Sequence, residues 1–398
     1  MSLSNVTVSA ATNAVRVRTI TAGVELSPAI ELDRVEAAFA FLARARRAYE
    51  EAGYEVQTVR VAINPVIDGL DSAARERVLD KLQRLDKLVP AQGGMFNIGP
   101  ILTANRSDDS LVAWSRELVK TTRSISFSTV IASPEGGVQP HAAATTAKIM
   151  VELSRALPDG LANFRFAAAA NIPAGTPFFP VAWHQGVESF AVGLESASVV
   201  ERAFASLSKG ADATEALRGT LNDVLGPVEK LAMELARQTG RQYLGIDTSP
   251  APAKDRSIAA AIEALTHAPF GSAGTLEVCS MITAALKSVS VRTCGYSGLM
   301  LPVLEDPLLA QRAGENRYSI RDLLLYSSVC GTGLDVVPIA GDTPAEPIAG
   351  LLRDVASLAS RLRKPLSARL FLVPGKKAGE LARFTDPVLT DSVVMKLD

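Results

Sequence analysis

Two of the chain's three cysteines stand among glycines, Cys294 in Cys294-Gly-Tyr-Ser-Gly298 and Cys330 in Cys330-Gly-Thr-Gly-Leu-Asp335. Glycine lets a main chain approach a ligand closely, and a thiol becomes a nucleophile where a helix N-terminus or a cation lowers its pKa. A second grouping is Trp183-His-Gln-Gly-Val-Glu188, in which an imidazole and a carboxylate stand four residues apart. With Asp247 and Asp255, His184 and Glu188 make a donor set for a divalent cation. Oxygen ligation suits magnesium or calcium, and a larger histidine and thiolate share suits zinc or iron. His184 is also the expected general acid or base, because imidazole exchanges a proton near neutrality. Against this stands a structural reading. Gly186 interrupts a regular helix there, His184 orders the proline-rich loop 172–180, and Glu188 is solvated.

Other candidates are weaker. His141 follows Gln139-Pro140 at a helix start, and His267 ends a helix, where a cation meets the carbonyl dipoles. Cys279 sits beside Val278 and near Met281 in an apolar helix and reads as core. The loops 271–275 and 374–379 carry glycines, and Lys376 is a candidate anion contact. No P-loop is present and no G-x-G-x-x-G opens a helix after a strand, so no nucleotide cofactor is expected. Arg292-Thr-Cys-Gly-Tyr296 is similar to the stretch around the radical glycine of glycyl-radical enzymes. Those enzymes place the glycine close to the C-terminus, however, and more than a hundred residues follow Gly295.

The elements that must position these side chains alternate along the chain. Apolar alternation bounded by turn residues predicts strands over 15–26, 54–63, 95–102, 125–132, 163–170, 189–195, 243–247, 289–293, 334–339 and 367–373. Helical periodicity fills most of the intervals, with Ser27-Pro28 and Asp255 expected at helix starts, a break near Gly210 and a bend near Pro227. Strands alternating with helices predict parallel β-α-β units, hence an α/β barrel or a doubly wound sheet with its site at the carboxyl ends of the strands. Glu25, Asn97, His184, Glu188, Glu195, Asp247, Cys294, Asp342 and Lys376 fall just past such ends. Residues 1–14 read as a flexible N-terminus, and 15–398 as one domain.

Composition narrows the function. With 41 basic against 42 acidic residues, no global field recruits nucleic acid or an anionic membrane. Only 5% of residues are aromatic, too few for a platform on which bases stack. Nothing approaches 18 uninterrupted apolar residues, and three widely spaced cysteines without a secretory start read as reduced thiols of a cytoplasmic protein. A small-molecule substrate is the expected partner, and a homodimer the expected assembly.

Several long stretches resemble the domain-of-unknown-function 711 family. They are Val17-Arg-Thr-Ile-Thr-Ala-Gly-Val-Glu-Leu26, Gly175-Thr-Pro-Phe-Phe-Pro-Val-Ala-Trp-His184, Gly245-Ile-Asp247, Asp255-Arg-Ser-Ile-Ala-Ala260, Cys294 to Asp306 and Val329 to Asp335. The related "PFL family protein" branch carries similar Phe-His-Gly-Val-Gly-Glu, Gly-Leu-Ser-Gly and Val-Cys-Ser-Val-Gly-Leu-Asp stretches, and differs from this chain at Cys294. The resemblance implies a ten-stranded α/β barrel like that of pyruvate formate-lyase without its radical machinery. Carried over by residue, it singles out His184, Glu188, Asp247, Asp255, Ser257, Ser297, Glu305, Asp306, Cys330 and Asp335. The expectation is therefore an enzyme of lyase or hydrolase type acting on a small polar, carboxylate-bearing metabolite, the rival being a non-catalytic metabolite sensor. In it His184, Cys330 and Ser297 would act at the reacting centre. His184, Glu188, Asp247 and Asp255 would hold a cation, and Asp255, Ser257, Cys294, Glu305, Asp335 and Lys376 would contact the substrate.

Overall fold

Strand β1 (Arg16–Val24) leads through helix α1 (Leu32–Glu51) to β2 (Val56–Ile63), α2 (Ser72–Leu88), β3 (Gly94–Pro100), α3 (Ser110–Thr121) and β4 (Ile125–Ser133). A two-residue β5 (Gly137–Val138), α4 (Pro140–Ser154) and β6 (Phe166–Ala170) follow. The remainder runs β7 (Ser189–Glu195), α5 (Ala197–Ala205), α6 (Ala213–Thr239), β8 (Gln242–Asp247), α7 (Ile258–Thr266), α8 (Thr275–Lys287), α9 (Pro307–Gly314) and α10 (Ile320–Tyr326). It ends with β9 (Gly333–Ala340), α11 (Ala345–Leu362), β10 (Leu366–Val373) and a separate antiparallel pair, β11 (Leu381–Ala382) with β12 (Ser392–Val393). This computed structural model describes residues 15–208 and 210–397, so the flexible N-terminus expected over 1–14 lies outside the described residues.

The protein is a mixed α/β fold built on a ten-stranded sheet, ordered β8-β7-β1-β2-β3-β4-β6-β10-β9 with β5 on β4. Pairing is parallel along β1, β2, β3, β4 and β6, between β7 and β8, and between β9 and β10, while the short β5 folds back antiparallel on β4. At two seams, β1 with β7 and β6 with β10, pairing is antiparallel. The all-parallel expectation fails there because residues 171–188 join β6 to β7 without the helical crossover that a parallel return needs. The carboxyl ends of the strands are consequently divided between the two ends of the sheet, and no single rim gathers them.

The main sheet has the expected ten strands, with a different membership. The strand expected over 289–293 is reduced to one bridge, Thr293 with Ile246. Side chains take its amides instead: Ser290 N donates to Asn222 Oδ1 (2.8 Å) and Arg292 N to Glu229 Oε1 (2.6 Å). Two helix starts also differ. Ser27 binds Glu31 through its N–H (3.0 Å) and hydroxyl (2.5 Å), closing a turn ahead of α1, and Ser257 rather than Asp255 caps α7.

Alternation along the strands sorts residues to two faces. Val17, Ile20, Ala22 and Val24 of β1, Val59, Val61 and Ile63 of β2, and Leu366, Ala368, Leu370 and Leu372 of β10 join one apolar cluster with the helices. In α11, Ile348, Leu352, Val355, Ala356 and Ala359 form the buried stripe that a 3.6-residue period produces. The opposite face is covered by loops, where Ala167 and Ala169 pack against Ile172, Phe178, Val181, Ala251, Tyr296 and Met300. Residues 292–303 cross from one edge of the sheet to the other, Thr293 bridging Ile246 in β8 and Pro302 bridging Asp335 in β9. Among the described residues no helix is long and apolar enough to cross a membrane.

Candidate functional site

The turn after Cys294 is built around Asp247, the buried last residue of β8. Its carboxylate accepts from Ser249 N (3.1 Å), Ser249 Oγ (2.6 Å), Tyr296 N (2.8 Å) and Ser297 N (3.0 Å). Burial holds Asp247 above the usual carboxyl range despite these donors. Gly295 is required beside it, since its φ is 63° and a Cβ would overlap the Asp247 carboxylate. Ser297, also left-handed at φ 42°, donates its hydroxyl to Cys294 O (2.9 Å). Cys294 is half-buried and lines a cavity of about 540 Å³ with Lys287, Tyr296 and Ser297, but burial pushes its thiol well up, away from the thiolate. Cys330 is buried, with Lys364 donating to its carbonyl and to Ser328 O (3.1 Å). Burial brings that ammonium down to about 8. Cys279 is core, as expected, and a hydrogen bond with Cys330 together with burial raises its thiol.

The His184 side chain is engaged with the turn that follows it and with β1, and the hydrogen bonds that tie the proline-rich loop to the sheet come from Thr21 and Asn97. The His184 ring stacks on Gly23 so closely that a Cβ there would overlap it. Nε2 donates to Gly186 O (3.0 Å) while Nδ1 accepts from Ser189 Oγ (3.3 Å), a neutral imidazole with both nitrogens engaged. Burial lowers its pKa accordingly. The loop that it ends is tied to the sheet by Thr21 Oγ1 on Pro177 O (2.9 Å) and Asn97 Nδ2 on Pro180 O (2.7 Å).

The four residues chosen as cation ligands do not form one set. Glu188 is paired with Arg241 (2.8 Å) and Arg34 (3.4 Å), and Asp255 with Arg16 (3.1 Å) and Arg256 (3.7 Å), while Asp247 is occupied by the turn. Among the described residues no group of three or more histidines, cysteines or carboxylates is placed to hold a metal ion. Ser257 caps α7 and donates to Asp306 Oδ1 (2.7 Å), which also accepts from Leu308 N (3.0 Å) and Leu309 N (3.2 Å) at the start of α9. Asp306 Oδ2 accepts from Ile258 N (2.7 Å) and Ala259 N (3.3 Å), so one buried carboxylate caps two helices. Lys376 lies in the turn after β10, where its carbonyl accepts from Gly341 N (3.2 Å).

Two of the chosen residues, Glu305 and Asp335, do come together, in an ionic lattice on the loop-covered face. Arg369 of β10 donates to Asp335 Oδ1 through Nε (2.8 Å) and to Glu305 Oε1 through a terminal nitrogen (2.7 Å). Arg18 of β1 reaches Glu305 Oε2 (2.8 Å) and Glu195 Oε1 (2.8 Å). A β-bulge helps to aim Asp335: the β9–β10 register slips opposite Arg369, and Val336 has φ 45°, a strained value for a β-branched residue. Arg60 of β2 completes the group, its Nε donating to Thr58 Oγ1 (3.1 Å) and its guanidinium 4.9 Å from the Phe179 ring centroid.

Sequence reasoning missed Arg18, Arg60 and Arg369. The available signal was an arginine inside a strand whose neighbours face the helices, as in Leu366-Ser-Ala-Arg-Leu-Phe-Leu-Val373. The lattice separates its acids electrostatically. Burial raises both carboxyls, but the guanidiniums of Arg369, Arg18 and Arg60 bring Glu305 below the usual range. For Asp335, burial and the charge of Glu305 outweigh Arg369 and hold it above that range. Two carboxyls with pKa values pushed apart have the arrangement in which one gives and the other takes a proton.

A family described as "Uncharacterised ACR (DUF711)" matches residues 10–385. Similar curated proteins, each named UPF0210 protein, include one from Syntrophobacter fumaroxidans, 30% identical over 356 residues that cover 83% of this chain and 77% of the relative. One from Pyrobaculum islandicum is 29% identical over 351 residues (84% and 77%), and one from Desulforudis audaxviator 29% over 398 residues (92% and 88%). The matched span takes in the whole lattice from Arg18 to Arg369, the Asp247 turn and the doubly capping Asp306, and the chain belongs to the DUF711 family.

Proposed function

We propose that the protein is an enzyme of lyase or hydrolase type acting on a small polar, carboxylate-bearing metabolite at the loop-covered face of its sheet. The observation that carries this reading is the buried lattice of Arg18, Glu195, Glu305, Arg369 and Asp335. Desolvating such charges costs several kcal/mol per ion, and well-packed apolar residues often serve stability as well or better. An array of charge gathered from separate strands therefore suits a site more than a scaffold. In this reading Asp335 and Glu305 exchange protons with the substrate, and the guanidiniums stabilise the enolate or oxyanion that forms. Asp247, Ser297 and His184 act as positioning residues for the covering loops. The reading also has the sheet closed into a ten-stranded barrel resembling that of pyruvate formate-lyase, which the pairing of residues 292–303 with both edge strands supports.

The test is to incubate the purified chain with a cell metabolite extract and follow its components by mass spectrometry. Consumption of a carboxylate that is lost in Glu305→Gln and Asp335→Asn supports the enzyme. Retention of a metabolite without turnover supports the sensor instead.

A further inference from the structure

We propose that Arg60 is the carboxylate-binding residue of the site, a buried cation whose counter-charge is the ligand. This rests on the reading of the ligand as carboxylate-bearing and assigns the group that recognises it.

The other guanidiniums of the lattice are matched by acids. Arg18 has Glu195 and Glu305, and Arg369 has Glu305 and Asp335. Arg60 is only 7% exposed, yet among the described residues no carboxylate lies within ion-pair distance of it. Its one side-chain hydrogen bond is made by Nε to Thr58 Oγ1, leaving both terminal nitrogens without a partner among the described residues. Thr58 is itself fixed, donating to Arg18 O (2.7 Å), and Phe179 flanks the guanidinium plane. The fork is thus held at one end and open at the other, the geometry that receives a carboxylate through two parallel N–H bonds.

Energetics point the same way. A largely buried cation without a paired acid is unfavourable, and a bound anion relieves that cost. Burial and the neighbouring charges of Arg18 and Arg369 lower the Arg60 pKa to about 9, Glu305 offsetting them only in part from beyond ion-pair distance. Arg18, partly exposed at the edge of the lattice, gives a small anion a cationic approach.

The test is thermal denaturation and titration calorimetry of the full chain at low ionic strength with acetate, pyruvate, malonate and inorganic phosphate as probes. At least one carboxylate should raise the wild-type midpoint, and Arg60→Met should abolish that rise while melting, without ligand, at or above the ligand-free wild type. A rise that survives in Arg60→Met, no rise with any carboxylate in the wild type, or a response to phosphate alone overturns the assignment. Should Arg60→Met fail to fold, Arg60→Lys keeps the charge without the fork and should weaken carboxylate binding at least tenfold, an unchanged Kd overturning the inference. Metabolite consumption that persists in Arg60→Met overturns the role of Arg60 and leaves the enzyme reading standing. Carboxylate binding that needs Arg60, with nothing consumed by the wild type, supports Arg60 and removes the enzyme reading.

Discussion

Gly298 and Gly331 lie back to back: a Cβ on Gly298 would overlap the Cα of Gly331 and stand 2.9 Å from its N. The loops bearing Cys294 and Cys330 therefore cross at a contact of main chain on main chain, braced by Gly331 N donating to Leu299 O (3.2 Å). Neither backbone can move aside as a side chain would. Gly298→Ala and Gly331→Ala should each destabilise the fold by about 2–3 kcal/mol in urea denaturation. Because the two methyls would force the same separation, the double variant should lose less than the sum of the singles.

Asp306 supplies acceptors to the first turns of both α7 and α9. Asp306→Ala should cost about 2 kcal/mol or more, two caps at about 1 kcal/mol each. Asp306→Asn, which retains one carbonyl oxygen, should cost less. Equal stability of wild type and alanine variant in denaturant titrations would remove this role.

Glu305 gives a pH signature whose sign follows from its lowered pKa. Its contribution is fully present above the value of an unfolded glutamate, about 4.3, and is lost as pH falls through the lower folded value. At neutral pH Glu305→Gln should cost about 3 kcal/mol, as expected when one partner of a buried charge network is removed. The gap between wild type and variant should narrow below about pH 4 as the wild-type carboxylate protonates. A gap independent of pH would show that Glu305 is not held ionised by Arg369 and Arg18.

His184 also contributes a pH-dependent term. Burial lowers its pKa below the ordinary value of about 6.5, so folding keeps the ring neutral while the unfolded chain would bind a proton. Stability should fall as pH drops below about 6.5, and this slope should be weaker in His184→Gln. An NMR titration placing His184 at or above 6.5 would contradict the arrangement.

The residues differ in how far the sequence revealed them. Helices Ser72–Leu88 and Thr275–Lys287 and strand Ser189–Glu195 begin and end where periodicity and capping residues place them. These boundaries are local, set by residues within a turn or two. Strand direction at the two seams is not local, because it depends on where the 171–188 loop delivers β7. The same distinction explains the site. Asp247, Ser257, Asp306 and His184 were visible as polar residues in distinctive surroundings, but Asp247, Ser257 and Asp306 take partners nearly fifty residues away that make them braces of loops and helices, while His184 is held by Gly186 and Ser189 close by. Glu305 and Asp335 were visible for the same reason and do converge, through Arg369. The arginines that bind them were hidden inside runs that read as ordinary strands, since periodicity gives the face a residue occupies and not what waits there.

Residues 292–303, which pair with β8 at one edge and β9 at the other, are synthesised after the first of these strands and before the second. Until they emerge and dock, β8 presents unpaired backbone groups along its free side, a template on which another chain can add. A nascent or truncated chain ending before residue 292 would therefore be prone to aggregate, and cleavage within this segment of the finished protein would expose two adhesive edges at once. The stretch thus meets each edge strand of the sheet at one bridge, Thr293 on Ile246 and Pro302 on Asp335.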